Sequence, residues 1–120
     1  MIEYIEPEQA LAVVEKLGLQ VRDRGLLFSA LARPSASMFG VDAYPDVPEK
    51  AAALISSLAQ NHPLFDGNKR LSLYLTFAFI RINGFDITFT NDEAFDLVLA
   101  VAQSRLELAE IAETFRTHIR

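Results

Sequence analysis

The sequence predicts an all-α domain of about six helices spanning residues 1–120, with one strongly apolar helix at its centre. Three observations carry that prediction. Apolar residues recur at three- and four-residue spacing, residues that start and stop helices stand at the ends of those runs, and only one short segment alternates as a strand does. A hydrophobic content of 51% over 120 residues supplies a core without disulfides or a structural metal, so a single domain is expected.

The elements follow in order. Pro7 suits a first helical turn, and Ala10, Leu11, Val13, Val14 and Leu17 make an apolar face that stops at Gly18. Asp23 caps a second helix carrying Leu26, Leu27, Ala30 and Leu31, which ends before Pro34 because proline drives the preceding residue out of the helical region. Arg33 to Val47 is then irregular, and a loop of that length in so small a domain is a candidate flap over a substrate. Pro48 opens a third helix through Ala51, Ala52, Leu54, Ile55 and Leu58 to about Asn61.

Asn68 opens the apolar helix through Leu71, Leu75, Phe79 and Ile82, closed by Asn83-Gly84. Phe85-Asp86-Ile87-Thr88-Phe89 alternates, which fits either a short strand or an extended connector. Thr90-Asn91-Asp92-Glu93 matches a capping box ahead of Phe95, Leu97, Val98 and Val101. Ser104-Arg105-Leu106-Glu107 matches another, ahead of Leu108, Ile111, Ala112 and Phe115.

Composition narrows the function classes. The formal charge of -5 argues against a broad basic face for nucleic acid. With no cysteine there is no disulfide framework, thiol nucleophile or thiolate metal site. The stretch Leu71 to Ile82 is shorter than the roughly 20 residues of a membrane span, and Met1 to Pro7 lacks the basic head and apolar stretch of a signal peptide. A cytoplasmic location with no membrane partner is therefore expected.

Chemistry concentrates in His62-Pro63-Leu64-Phe65-Asp66-Gly67-Asn68-Lys69-Arg70, between two helices. A helix start offers unpaired N–H groups and the positive end of the helix dipole to an anion. Gly67 allows close approach of a phosphate, and Lys69 and Arg70 add charge-assisted bonds suited to a polyphosphate. Asp66 is a hard oxygen ligand for magnesium, and the His62 imidazole can take a proton from an attacking hydroxyl. Taken singly, a basic helix start, an Asp-Gly turn and a lone histidine are ordinary surface features. Their contiguity at the mouth of the most apolar helix points instead to nucleotide chemistry. His118 is the only other histidine and no ligand pair has zinc-like spacing, which disfavours a metal-only site. There is no nucleophile elbow for Ser-His-Asp hydrolysis.

The segment resembles the Fic signature, His-Pro-Phe-x-Asp/Glu-Gly-Asn-Gly-x-Arg with a further arginine downstream. His62, Pro63, Asp66, Gly67 and Asn68 follow it, whereas Lys69 replaces the second glycine and Leu73 stands at the downstream arginine, departures that resemble the Doc branch. The likeness extends from Asp23-Arg24-Gly25-Leu26-Leu27 through Ala30-Leu31-Ala32-Arg33-Pro34 to Asn83-Gly84. It implies an all-α Fic fold. For Doc it implies transfer of the γ-phosphate of ATP to a threonine of elongation factor Tu, which halts translation.

By position, the resemblance makes His62 the base, Asp66 the Mg2+ ligand, and Gly67, Asn68, Lys69 and Arg70 the phosphate cradle. Lys69 in the glycine position and the missing arginine favour a reversed nucleotide, hence kinase rather than AMP transfer. Leu64 takes the usual Phe position with Phe65 beside it, so the aromatic packing of the loop is expected to shift by one residue. Phe28 stands where many relatives have Glu, and Gln60-Asn61 where Doc has a basic residue nearby. No inhibitory Ser/Thr-x-x-x-Glu-Gly/Asn helix is found, so the resemblance implies inhibition in trans by a Phd-like antitoxin whose tail folds into an apolar groove. The competing readings are a Fic-type AMP transferase and a catalytically silent helical interaction module.

Overall fold

The computed structural model describes residues Met1–Arg120. It contains helices α1 (Pro7–Lys16), α2 (Arg24–Ala32), α3 (Val47–Asn61), α4 (Asn68–Ile82), α5 (Asn91–Ala102) and α6 (Leu108–His118). The six helices are those the sequence predicts. The irregular stretch between α2 and α3 adds a 3-10 turn, Arg33–Ser35, and a small antiparallel hairpin of β1 (Ser37–Met38) and β2 (Val41–Asp42).

Local chemistry accounts for most helix ends. The Asp23 side chain accepts the Leu26 N–H at 3.0 Å, and Asp46 does the same for Glu49 at 2.9 Å. Thr90 and Glu93 form the expected capping box. The last helix differs. Its cap is Glu107, paired reciprocally with Glu110, and not Ser104. Ser104 instead ends α5 in a left-handed conformation, φ 56°, with its N–H donating to Val101 and that of Arg105 to the Ala100 carbonyl at 2.9 Å. That pair of bonds is a Schellman closure, usually given to glycine. The preceding helix thus claims the residue that the sequence pattern assigns to the following one.

Both α3 and α4 belong to the centre, but α3 is the helix enclosed on all sides, packing on α2, α4, α5 and α6. Its small residues Ala51, Ala52, Ala53, Ser56, Ser57 and Ala59 are buried and let its neighbours approach closely. α4 gives Leu71, Leu75, Phe79 and Ile80 to the same core while leaving Tyr74, Arg81 and Ile82 exposed. Its all-round apolarity therefore feeds a surface groove as well as the core.

Lys50 is fully buried in α3. Its ammonium donates to the Pro34 carbonyl at 3.3 Å, pairs with Asp42 of β2 at 3.2 Å and lies over the Tyr4 ring, so the hairpin root is tied to the core. In the 85–89 segment burial does alternate, yet it pairs only at the bridge between Ile87 and Ile119, with Asp86 and Arg120 exchanging backbone bonds beside it. It is an extended connector that clasps the chain's last residues. No helix is long and apolar enough to cross a membrane.

Candidate active site

The loop between α3 and α4 is shaped from both ends. α3 ends at His62, which adopts the left-handed conformation at φ 51° and ψ 57° and turns the chain sharply away from the helix axis. Val21 and Leu64 then pair as an isolated antiparallel bridge, the Pro63 carbonyl accepts the N–H groups of Arg22 and Asp23 at 2.8 and 3.0 Å, and the Phe65 N–H donates to Gln20 at 3.2 Å. The α1–α2 connector is thus a backbone template for the loop.

Within the loop, Leu64 is 1% exposed and Phe65 69% exposed. Leu64 fills the core position, and the aromatic ring one residue later faces outward. Asn68 reaches back to Leu64, accepting its N–H at 2.9 Å and donating to its carbonyl at 3.1 Å. The Asn68 side chain therefore acts on the loop, leaving its backbone N–H to any ligand. Gly67 has φ +82°, and a Cβ there would lie 2.7 Å from Leu19 Cδ2. The left-handed backbone favours glycine here and the Leu19 side chain would have to shift to admit a Cβ, reasons that motif reading did not expose.

The first intrahelical bond of α4 runs from the Leu71 N–H to Gly67, so the N–H groups of Asn68, Lys69 and Arg70 are free at the helix start. The side chains of Asp66, Lys69 and Arg70 form no ion pair within the chain. With two cations against one carboxylate, this end of an otherwise acidic chain is locally positive.

All six residues singled out in the sequence, His62, Asp66, Gly67, Asn68, Lys69 and Arg70, line one cleft of about 580 Å3. Its remaining walls are apolar: Ala59, Phe65 and Leu73, with Phe95, Val98 and Ala102 from α5. Phe95, which the sequence places only as an apolar residue after the Thr90 capping box, is 56% exposed and faces the cleft. Its place three residues before Val98 puts both on one helical face, a signal that could have found it. No residue of 33–47 lines the cleft, so the hairpin does not cover it in this conformation.

Phe28 lies elsewhere, in a crevice with Tyr4 and Leu31. Gln60 donates to the Val101 carbonyl at 3.0 Å and ties α3 to the end of α5. A second hollow, about 560 Å3, continues along the outer face of α4 from Arg70 and Leu73 to Phe77, Arg81 and Ile82.

There is no cluster of three or more His, Cys, Asp or Glu side chains fit to hold a metal by themselves. A lone carboxylate, Asp66, beside a helix start with free N–H groups fits magnesium, which keeps several waters and takes phosphate oxygens as ligands.

In this small helical domain the free N–H groups at the start of α4 and the His62 side chain share one cleft. The model of the Fic/DOC family matches residues 3–80, and the chain belongs to that family. It is 45% identical over 117 residues to Toxin Doc of Mycolicibacterium smegmatis, a match covering 93% of this chain and 90% of that one. It is also 26% identical over 121 residues to Protein kinase doc of Escherichia phage P1, covering 96% and 94%. The family match ends inside α4, so the Phe95 wall lies beyond it.

Proposed function

We propose that the protein is a Doc-type toxin that transfers the γ-phosphate of ATP to a hydroxyl of a translation factor, with a threonine of elongation factor Tu as the expected acceptor. The observation that carries this reading is the joint cleft, in which His62 and the start of α4 with Lys69 and Arg70 face one volume. Likeness to relatives named a toxin and a protein kinase supports it.

In the proposed reaction the acceptor oxygen attacks the γ-phosphorus, and its proton passes to His62. The new O–P bond forms as the bond from phosphorus to the β–γ bridging oxygen breaks, and ADP leaves with that electron pair. Lys69, Arg70 and the free N–H groups of α4 hold phosphate oxygens. Asp66 would hold Mg2+ together with those oxygens, and the ion would neutralise phosphate charge. The exposed rings of Phe65 and Phe95 offer the nucleoside an apolar wall. Leu73, in that wall where adenylyltransferases of the family are expected to carry arginine, supports γ-phosphate over AMP transfer.

Regulation by a Phd-like antitoxin completes the proposal. The hollow on α4, apolar at Leu73 and Phe77 and flanked by Arg70 and Arg81, suits an amphipathic acidic helix. Because it shares Arg70 and Leu73 with the cleft, such a helix would act on the site directly. The cytoplasm, where ATP and the translation machinery meet, is the expected location.

The test incubates the protein with magnesium, a bacterial extract and either γ- or α-labelled ATP. The expected result is a protein band near the size of elongation factor Tu carrying the γ label alone. An α-labelled band would instead establish AMP transfer, and no band from either label would favour the silent interaction module.

A further inference from the structure

We infer that Arg22, outside the motif and absent from the cleft wall, is the positioning residue that sets the orientation of His62. This rests on the proposed role of His62 for its kinetic arm, though not for its structural one.

The argument begins at the end of α3. The last carbonyls of a helix have no N–H partner and carry the negative end of its dipole. Arg22 meets both of those at issue. Its Nε and Nη2 donate to the His62 carbonyl at 2.9 and 2.6 Å, and Nη2 also reaches the Asn61 carbonyl at 3.4 Å. Two donors of one rigid fork saturate a single oxygen, which an ammonium on a flexible stem cannot reproduce.

The carbonyl so held belongs to a residue in the left-handed region, φ 51°. Residues with a Cβ seldom occupy that region, and they stay there only where the surroundings over-determine it. The backbone of the same arginine holds the next carbonyl, that of Pro63, at 2.8 Å. Arg22 therefore grips two successive peptide units, one with its side chain and one with its main chain.

Loss of the guanidinium would free His62 to relax toward the extended region that a residue before proline prefers, rotating its Cα–Cβ bond and carrying the imidazole away from the reacting oxygen. The phosphate cradle would be spared, because Lys69 and Arg70 sit beyond the Asn68–Leu64 clamp and the Gly67–Leu19 contact. The consequence is a split in kinetics, with turnover lost and ATP binding kept.

The experiment compares wild type, Arg22→Ala, Arg22→Lys and His62→Ala as full chains. It measures kcat and KM for γ-phosphate transfer, together with amide exchange at Phe65, whose N–H bonds to Gln20 across the loop. The Leu75 amide, deep in α4, is the reference for global opening. For Arg22→Ala we expect kcat to fall about 100-fold, the scale of a small misplacement of a reacting group. KM for ATP should stay within about twofold, since uniform binding is untouched. Phe65 exchange should accelerate relative to Leu75, and methylguanidinium, entering from solvent beside this exposed side chain, should restore part of the rate. Arg22→Lys should behave like the alanine variant, and it serves in its place if alanine does not fold. Phe65 exchange that stays at its wild-type ratio to Leu75 overturns the inference, whatever the rates. An active His62→Ala would instead overturn the assignment of the base and leave the exchange result to judge Arg22.

Discussion

The Asn68 carboxamide closes two hydrogen bonds on one residue four positions earlier, accepting the Leu64 N–H at 2.9 Å and donating to the Leu64 carbonyl at 3.1 Å. This small ring joins the start of α4 to the buried anchor of the loop. Leucine at 64 goes inward, phenylalanine at 65 goes outward, and the turn between them and the helix is braced from within.

Replacing Asn68 with alanine leaves both Leu64 backbone groups without that partner. We expect a loss of about 1–3 kcal/mol in stability, the cost of unsatisfied groups at a partly buried position. Urea unfolding measures it. An unchanged midpoint would show that water serves the Leu64 groups as well as the carboxamide does.

Gly67→Ala meets two obstacles, a left-handed φ of +82° and Leu19 Cδ2 at 2.7 Å from the new Cβ. The expected cost is about 1–3 kcal/mol. The double variant with Leu19→Ala should cost less than the sum of the two singles, because it removes the steric part and leaves the backbone part. A double-mutant cycle in urea separates the two, and strict additivity would contradict the contact.

Lys69→Gly combined with Leu73→Arg restores the residues that the AMP-transferring relatives are expected to carry. The expected outcome is α-label transfer to protein at the expense of γ-label transfer. Undiminished γ labelling, with no α label, would mean that these positions do not choose the bond that breaks.

The clasp at the C-terminus should respond to pH. His118 Nδ1 bonds to the Thr114 carbonyl at 2.8 Å and Nε2 contacts Glu93 at 3.0 Å, and these partners, in that order, raise the imidazole pKa above its usual 6.5. The Glu93 carboxyl is lowered from its usual 4.5, first by the Thr90 N–H and then by His118. A raised histidine stabilises fully below its unfolded value and loses that contribution as pH rises through the folded one. A lowered carboxylate stabilises above its unfolded value and loses that as pH falls through the folded one. The pair therefore contributes most between about pH 4.5 and about pH 6.5. Melting temperature against pH should show this excess in the wild type and flatten in His118→Gln, and parallel curves would refute it.

Much of this was legible locally. Proline at 7 and 48, aspartate at 23, Asn83-Gly84 and the Thr90 box each act on backbone within a few residues, so their effect survives reading one residue at a time. Ser104 shows where this fails. Two helices meet there, and the end of α5 takes in its left-handed closure the residue that would otherwise begin the next helix.

By itself the sequence determined the helical class, the position of the polar loop from His62 to Arg70, and its attachment to the first turn of a helix, because periodicity and capping are short-range properties. Tertiary structure alone decided that α3 is the enclosed helix and that Phe95 turns to the cleft. It also decided that Lys50 is buried under the hairpin, and that Arg22 reaches the His62 carbonyl forty residues away. Each of these is a pairing between elements brought together only by packing, so no local pattern encodes it. The motif gathers the polar groups of the loop, and the packed connector beside it fixes the backbone that carries them.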